Sequence, residues 1–130
     1  MNNRQVGKKA ETKAKVYLEE NGVTVLEENY RNRTGEIDLI GMDGNYLVFF
    51  EVKYRSGVQK GYPTEAVTFA KQRTICMVSD YYRMRKGLPE STPVRYDVIS
   101  IIGEEITWIK NAFPYRYRRY ENVSCNTKTK

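Results

Sequence analysis

A chain of 130 residues, 40% hydrophobic and 29% charged with a formal charge of +6, has the size and mixture of one globular domain with a single core. No apolar run approaches the roughly 18 residues that a membrane span needs and no apolar leader opens the sequence, so no membrane partner is expected and the expected setting is the cytoplasm. Histidine is absent altogether, which excludes Ser-His-Asp and Cys-His hydrolysis and His-ligated metals and leaves carboxylates, Lys, Tyr and water for acid–base work.

In chain order, Val6, Ala10, Ala14, Tyr17 and Leu18 recur at helical spacing and predict a helix over about residues 4–21, stopped by Asn21-Gly22. Glu11 lies on the flank of its apolar face, where it either pairs with Lys15 or looks into a cleft. A strand starts at Val23 and runs toward Tyr30. After the polar turn Arg31–Gly35, Glu36 to Met42 reads as a second strand, Asp43-Gly44-Asn45 as a hairpin turn, and Tyr46 to Tyr54 as a third strand. Thr64 has the chemistry of an N-cap and Glu65 that of a first turn, for a helix closing at Lys86-Gly87 with Ala66, Phe69, Ala70, Ile75 or Cys76, Val78 or Ser79, and Tyr82 inward. Val94 to Ile102 and Glu105 to Lys110 complete the strands. The order αβββαββ implies an α/β arrangement, and the hairpin makes the sheet mixed.

Cys76 falls in the helical apolar pattern and reads as a small core residue; Cys125 has no CxxC partner, so no zinc site is expected. Residues 1–114 form the predicted domain. Residues 115–130 carry five basic residues against Glu121, a net +4 that leaves +2 for the body. Tyr115, Tyr117 and Tyr120 are interleaved there, so this tail either neutralises phosphates and stacks on bases or is simply a solvated end.

The chemistry-bearing stretch is Gly35-Glu36-Ile37-Asp38-Leu39-Ile40, followed by Phe50-Glu51-Val52-Lys53. Acids inside apolar strands need a cation, a donor or a proton. Strand residues alternate faces, so Glu36, Asp38 and Ile40 share one face and Phe49, Glu51 and Lys53 share another. A two-residue turn at Asp43-Gly44 pairs Asp38 with Phe49; one at Gly44-Asn45 pairs Asp38 with Glu51. Either register brings Asp38, Glu51 and Lys53 to one face. Two carboxylates about 4 Å apart repel by roughly 4 kcal/mol at an effective dielectric near 20, a large part of a small domain's stability. Lys53 supplies one counter-charge, and the rest points to Mg²⁺ or a raised pKa. An Asp, a Glu and a Lys that converge are the equipment for hydrolysing a phosphodiester.

Asp38 followed by Glu51-Val52-Lys53 resembles the PD-(D/E)xK nuclease signature, with Ile37 in the place of the proline. Residues of about 5–114 resemble the YraN-type family of small bacterial endonuclease-like proteins. The stretches that carry this are Gly7 with Glu11 and Ala14, Asn29-Tyr30-Arg31, Gly35 to Ile40, Phe50 to Arg55, Pro63 to Val67, Lys71, Arg95 to Ile99, and Trp108 to Phe113. That family is similar in turn to archaeal Holliday-junction resolvases. The resemblance implies a restriction-endonuclease-like fold, Mg²⁺- or Mn²⁺-dependent cleavage of duplex or branched DNA in repair, and a homodimer. It implies Asp38, Glu51, the Val52 carbonyl and Glu11 as metal ligands, with Lys53 orienting the attacking water. Arg31, Arg33, Tyr54, Arg55, Lys71 and Gln72 are the expected DNA-gripping residues. Asp97 is expected to be structural and Trp108 a core aromatic. The alternative is a catalytically inactive nucleic-acid-binding module that keeps the nuclease fold.

Overall fold

The computed structural model describes residues 3–56 and 67–116. The elements are α1 (Asn3–Glu20), β1 (Thr24–Arg31), β2 (Glu36–Asp43), β3 (Tyr46–Arg55), α2 (Phe69–Arg85), β4 (Val94–Ile102) and β5 (Glu105–Ile109). The order αβββαββ is the one the sequence predicts. The sheet runs β1-β2-β3-β4-β5. Its neighbours are antiparallel except β3 and β4, which lie parallel because the chain crosses between them by way of α2. One helix covers each face. Ala10, Ala14 and Leu18 of α1 pack with Leu39, Val48, Phe50, Ile99 and Ile101, while Ile75, Cys76, Val78 and Tyr82 of α2 pack with Ile37, Ile40, Phe49, Tyr96 and Val98. Strands β3 and β4 are central and covered on both sides, which is why they read as near-continuous apolar runs.

Both helices end in the same way. Gly22 (φ 91°) and Gly87 (φ 65°) take the left-handed position. The amides of Val23 and Leu88 then close onto the carbonyls of Leu18 (3.0 Å) and Arg83 (3.1 Å), a Schellman cap in each case. The start of α2 corrects the sequence expectation. Thr64, Glu65 and Ala66 lie outside the described residues, and the cap is Thr68, whose side chain accepts from the Lys71 amide. The inner stripe is Gln72, Ile75, Cys76, Val78, Ser79 and Tyr82; Phe69 is 63% exposed and carries the Arg116 guanidinium on its ring at 4.6 Å. Cys76 is buried as expected. Asp97 is fully buried, held by Arg95 (2.8 and 3.1 Å), the Trp108 indole (2.9 Å) and the Asn111 amide (2.8 Å), a structural role. Cys125 and residues 117–130 of the basic tail lie outside the described residues, and among those described no helix is long and apolar enough to cross a membrane.

The β2–β3 turn is Gly44-Asn45, since Asp43 pairs with Tyr46 and Leu39 with Phe50. This is the register that sets Asp38 level with Glu51. Strict alternation fails at this point, however. Ile37 and Ile40 both enter the α2-side core and Leu39 the α1-side core, so Asp38 and Ile40 do not continue one regular face. The break coincides with Asn29 on β1, which sits at φ 54°. The β1–β2 pairs pass from Glu28↔Leu39 to Tyr30↔Ile37 around it. Asn tolerates the left-handed region better than most residues, so a two-strand kink is stored at that level.

Candidate metal centre

The kink opens the sheet where the acids stand. The β2–β3 ladder ends at Leu39↔Phe50. In place of the next rung, the Val52 amide donates to Oδ2 of Asp38 at 2.8 Å. The carboxylate therefore substitutes for backbone pairing, and it shares a further side-chain hydrogen bond with Glu11. Glu11 reaches the same opening from α1. Lys15, the partner Glu11 would have had on the helix surface, is instead bound to Glu28 at 2.7 Å. Single oxygens of Glu11, Glu36 and Asp38 lie within 4.8 Å of one another. The turn that leads into Glu36 is fixed by Asn32, whose Oδ1 accepts from the amides of Thr34 (2.8 Å) and Gly35 (3.3 Å). Gly35 is pressed against α2, where a Cβ would meet Thr74 Cγ2 at 2.6 Å.

Glu51 and Lys53 enter from β3. Their ion pair, Lys53 Nζ to Glu51 Oε2, spans 3.5 Å. Glu51 is 5% exposed, and among the described residues no arginine forms an ion pair with it or with Asp38. Lys71, on the first turn of α2, is near enough for its charge to act on both Asp38 and Glu51.

The electrostatics follow from three or four acids sharing two ammonium groups. Burial, then the charge of Asp38, raises Glu51 from 4.5 to about 7, against the opposing pull of Lys71 and Lys53. Burial and Asp38 likewise raise Glu11 from 4.5 to about 7, while a hydrogen bond with Asn29 opposes the rise. Asp38 is itself raised, mainly by burial, with the Val52 amide working against the shift. Burial is the main reason that all three carboxyls are harder to ionise than usual, and their mutual charge adds to it for Glu11 and Glu51. A dication supplies compensating charge, and hard carboxylate oxygens are the donors Mg²⁺ or Mn²⁺ accepts.

The tertiary structure thus brings Asp38, Glu51, Lys53 and Glu11 near one another and adds Glu36 to the carboxylates that could share an ion. Glu36 joins Glu11 and Asp38 in the compact trio, while Glu51 stands beside Asp38 and outside that trio. Its signal in the sequence was its position two residues before Asp38. Glu36 also meets Arg31 at 3.3 Å. Val52 contributes its amide to Asp38. Of the expected DNA-gripping residues, Arg31, Arg33 and Tyr54 are exposed, while Arg55 and Lys71 are half-buried. Gln72 is a correction. It is buried, donates to the Val67 carbonyl (3.0 Å) and accepts from Arg116 Nε (2.8 Å), so both ends of its amide are used inside the protein.

Residues 10–101 match the model of a family described as "Uncharacterised protein family UPF0102", a span that contains Glu11, Glu36, Asp38, Glu51, Lys53 and Lys71. A UPF0102 protein of Lachnoclostridium phytofermentans is 51% identical over 113 residues, covering 87% of this chain and 96% of that protein. One from Legionella pneumophila (strain Corby) is 44% identical over 109 residues, covering 82% and 92%. One from Clostridioides difficile (strain 630) is 42% identical over 115 residues, covering 87% and 100%.

Proposed function

We propose that this chain, which belongs to the UPF0102 family, is a divalent-metal-dependent endonuclease that hydrolyses DNA phosphodiester bonds, with a restriction-endonuclease-like fold and a likeness to Holliday-junction resolvases. The observation that carries the reading is the carboxylate trio of Glu11, Glu36 and Asp38 beside the Glu51–Lys53 pair, with no arginine among the described residues in an ion pair with Asp38 or Glu51. Glu11, Glu36 and Asp38 would hold the ion, with Glu51 adjoining. Bound Mg²⁺ or Mn²⁺ supplies a water of lowered pKa and a Lewis acid for a phosphoryl oxygen.

The remaining work falls to the chain's own groups. The Val52 amide holds the Asp38 carboxylate in orientation. The Lys53 ammonium, tethered to Glu51 at 3.5 Å, is positioned to orient the nucleophile and to stabilise charge developing on phosphate. Lys71, at the start of α2, adds a second cation whose charge acts on Asp38 and Glu51. Arg31, Arg33, Tyr54 and Arg55 flank the opening as backbone-gripping candidates.

Purified chain is incubated with Mg²⁺ or Mn²⁺ and linear, nicked, single-stranded and four-way DNA. Cleavage of at least one substrate, abolished by EDTA and slowed at least about a hundred-fold by Lys53→Ala, is expected. Inertness on all four with either metal would sink the proposal; metal-independent, salt-sensitive DNA binding without cleavage would point to the inactive binding module instead.

A further inference from the structure

An open groove lies remote from the acids. It holds about 640 Å³ between the outer face of α1 and β5, and none of its lining residues belongs to the metal centre. Its floor is apolar, built from Val16, Tyr17 and Ile106, and its rim carries Lys8, Lys9 and Lys13. Glu20, two turns beyond Lys13, marks where the basic rim ends. Val16 is 46% exposed there and adjoins Tyr17 and Ile106, so the apolar surface is continuous rather than a single side chain.

Beside this groove, β5 is the last strand of the sheet. It pairs only with β4, and among the described residues no other backbone group bonds to it. Ile106 and Trp108 point to the α1 side. An open strand edge is a template for another strand, and the alternate side chains of an added strand would fall into the trough between β5 and α1. Lys8 and Lys9 make no ion pair among the described residues, and Lys13 meets only the exposed Glu104 at 3.2 Å, a pair of little energetic weight.

We propose that this edge and groove form a docking site for an extended acidic peptide of a partner protein. The peptide would pair along β5, bury alternate apolar side chains over Val16, Tyr17 and Ile106, and present carboxylates to Lys8, Lys9 and Lys13. The chain's own end, residues 115–130, carries the same sign of charge as the rim and is disfavoured as the occupant. A nucleic-acid backbone has no apolar groups to set against the floor. A second copy docking through its β1 edge would offer Glu27 and Glu28, but Lys86 (3.6 Å) and Lys15 (2.7 Å) beside them would bring like charge to the lysine rim. The site does not depend on catalysis at the metal centre.

Fluorescence anisotropy of a labelled nonapeptide alternating glutamate and leucine, titrated with the full chain, tests it. Saturable binding is expected, at least about ten-fold tighter than for a lysine–leucine peptide of the same pattern, and weakened by salt. Val16→Glu on the exposed helix face and the pair Lys8→Glu and Lys9→Glu should each weaken binding about ten-fold or more while leaving the melting temperature within a few degrees. Hydrogen exchange of the amides of residues 105–109 should slow in the complex. The proposal is overturned by no saturation up to about 1 mM, by equal affinity for the basic peptide, by indifference to these substitutions, or by unchanged exchange along β5. Self-association blocked by Val16→Glu, or binding of anionic vesicles that outcompetes the peptide, overturns it in favour of a second copy or a lipid surface.

Discussion

Glu51→Gln is the most revealing single change, because it separates the cost of the site from its use. The folded-state pKa of Glu51 is raised from 4.5 to about 7 by burial and by Asp38. Between those two values the native state holds a proton that the unfolded chain has already released, so native stability falls as pH rises through that window and levels off above it. One pH unit corresponds to about 1.4 kcal/mol, so the full rise amounts to on the order of 3 kcal/mol for this well-buried carboxyl. Glutamine keeps the shape and removes the ionisation. In EDTA at pH 8, the variant should therefore be more stable than the parent by on the order of 2–3 kcal/mol, and the two should converge below about pH 4.5. Urea unfolding at pH 4.5, 6, 7 and 8 measures this through the midpoint at constant m. Saturating Mn²⁺ should reverse the order, because an ion that binds only the native state stabilises it by its affinity, and the parent binds it better. A variant less stable than the parent at pH 8 in EDTA, or a difference that does not change with pH, would refute the reasoning.

Three further outcomes follow from the same geometry. Lys53→Ala should lower the cleavage rate by about 10²–10³-fold with little change in Mn²⁺ affinity, read by single-turnover cleavage and calorimetry. Asp38→Asn should lose Mn²⁺ binding yet keep an acceptor for the Val52 amide, whereas Asp38→Ala should lose both and unfold more easily than the asparagine variant by about 1–3 kcal/mol in urea. Arg95→Met should destabilise the chain by about 3–5 kcal/mol in thermal or urea unfolding, because fully buried Asp97 then keeps only the Trp108 and Asn111 donors and no cation.

Much of the site was legible because local rules agree. Apolar runs broken by turn residues predict β2 and β3, and an even turn predicts Asp38 level with or near Glu51, although the alternation of faces breaks at Asp38 in the structure. The caps at Gly22 and Gly87 were equally plain, since a left-handed helix terminus suits few other residues. The surroundings of Glu36 and Gln72 could not be read for a common reason. Both are polar residues whose role depends on what faces them. Glu36 meets Glu11 across two elements, and Gln72 bonds both the Val67 carbonyl and Arg116, forty-four residues on in the chain.

By itself, then, the sequence determined the kinds of element, their order, and the acids and lysines that chemistry could use, because periodicity, turn chemistry and residue type are local properties. The tertiary structure alone decided which carboxylates share a dication-sized opening, by ending the β2–β3 ladder at Leu39↔Phe50 and swinging Glu11 in from α1. It alone set a lysine-rimmed trough against an open strand edge, residues separated by about ninety positions in the chain. Distances between elements are fixed by how the two cores pack, and no short-range pattern records them.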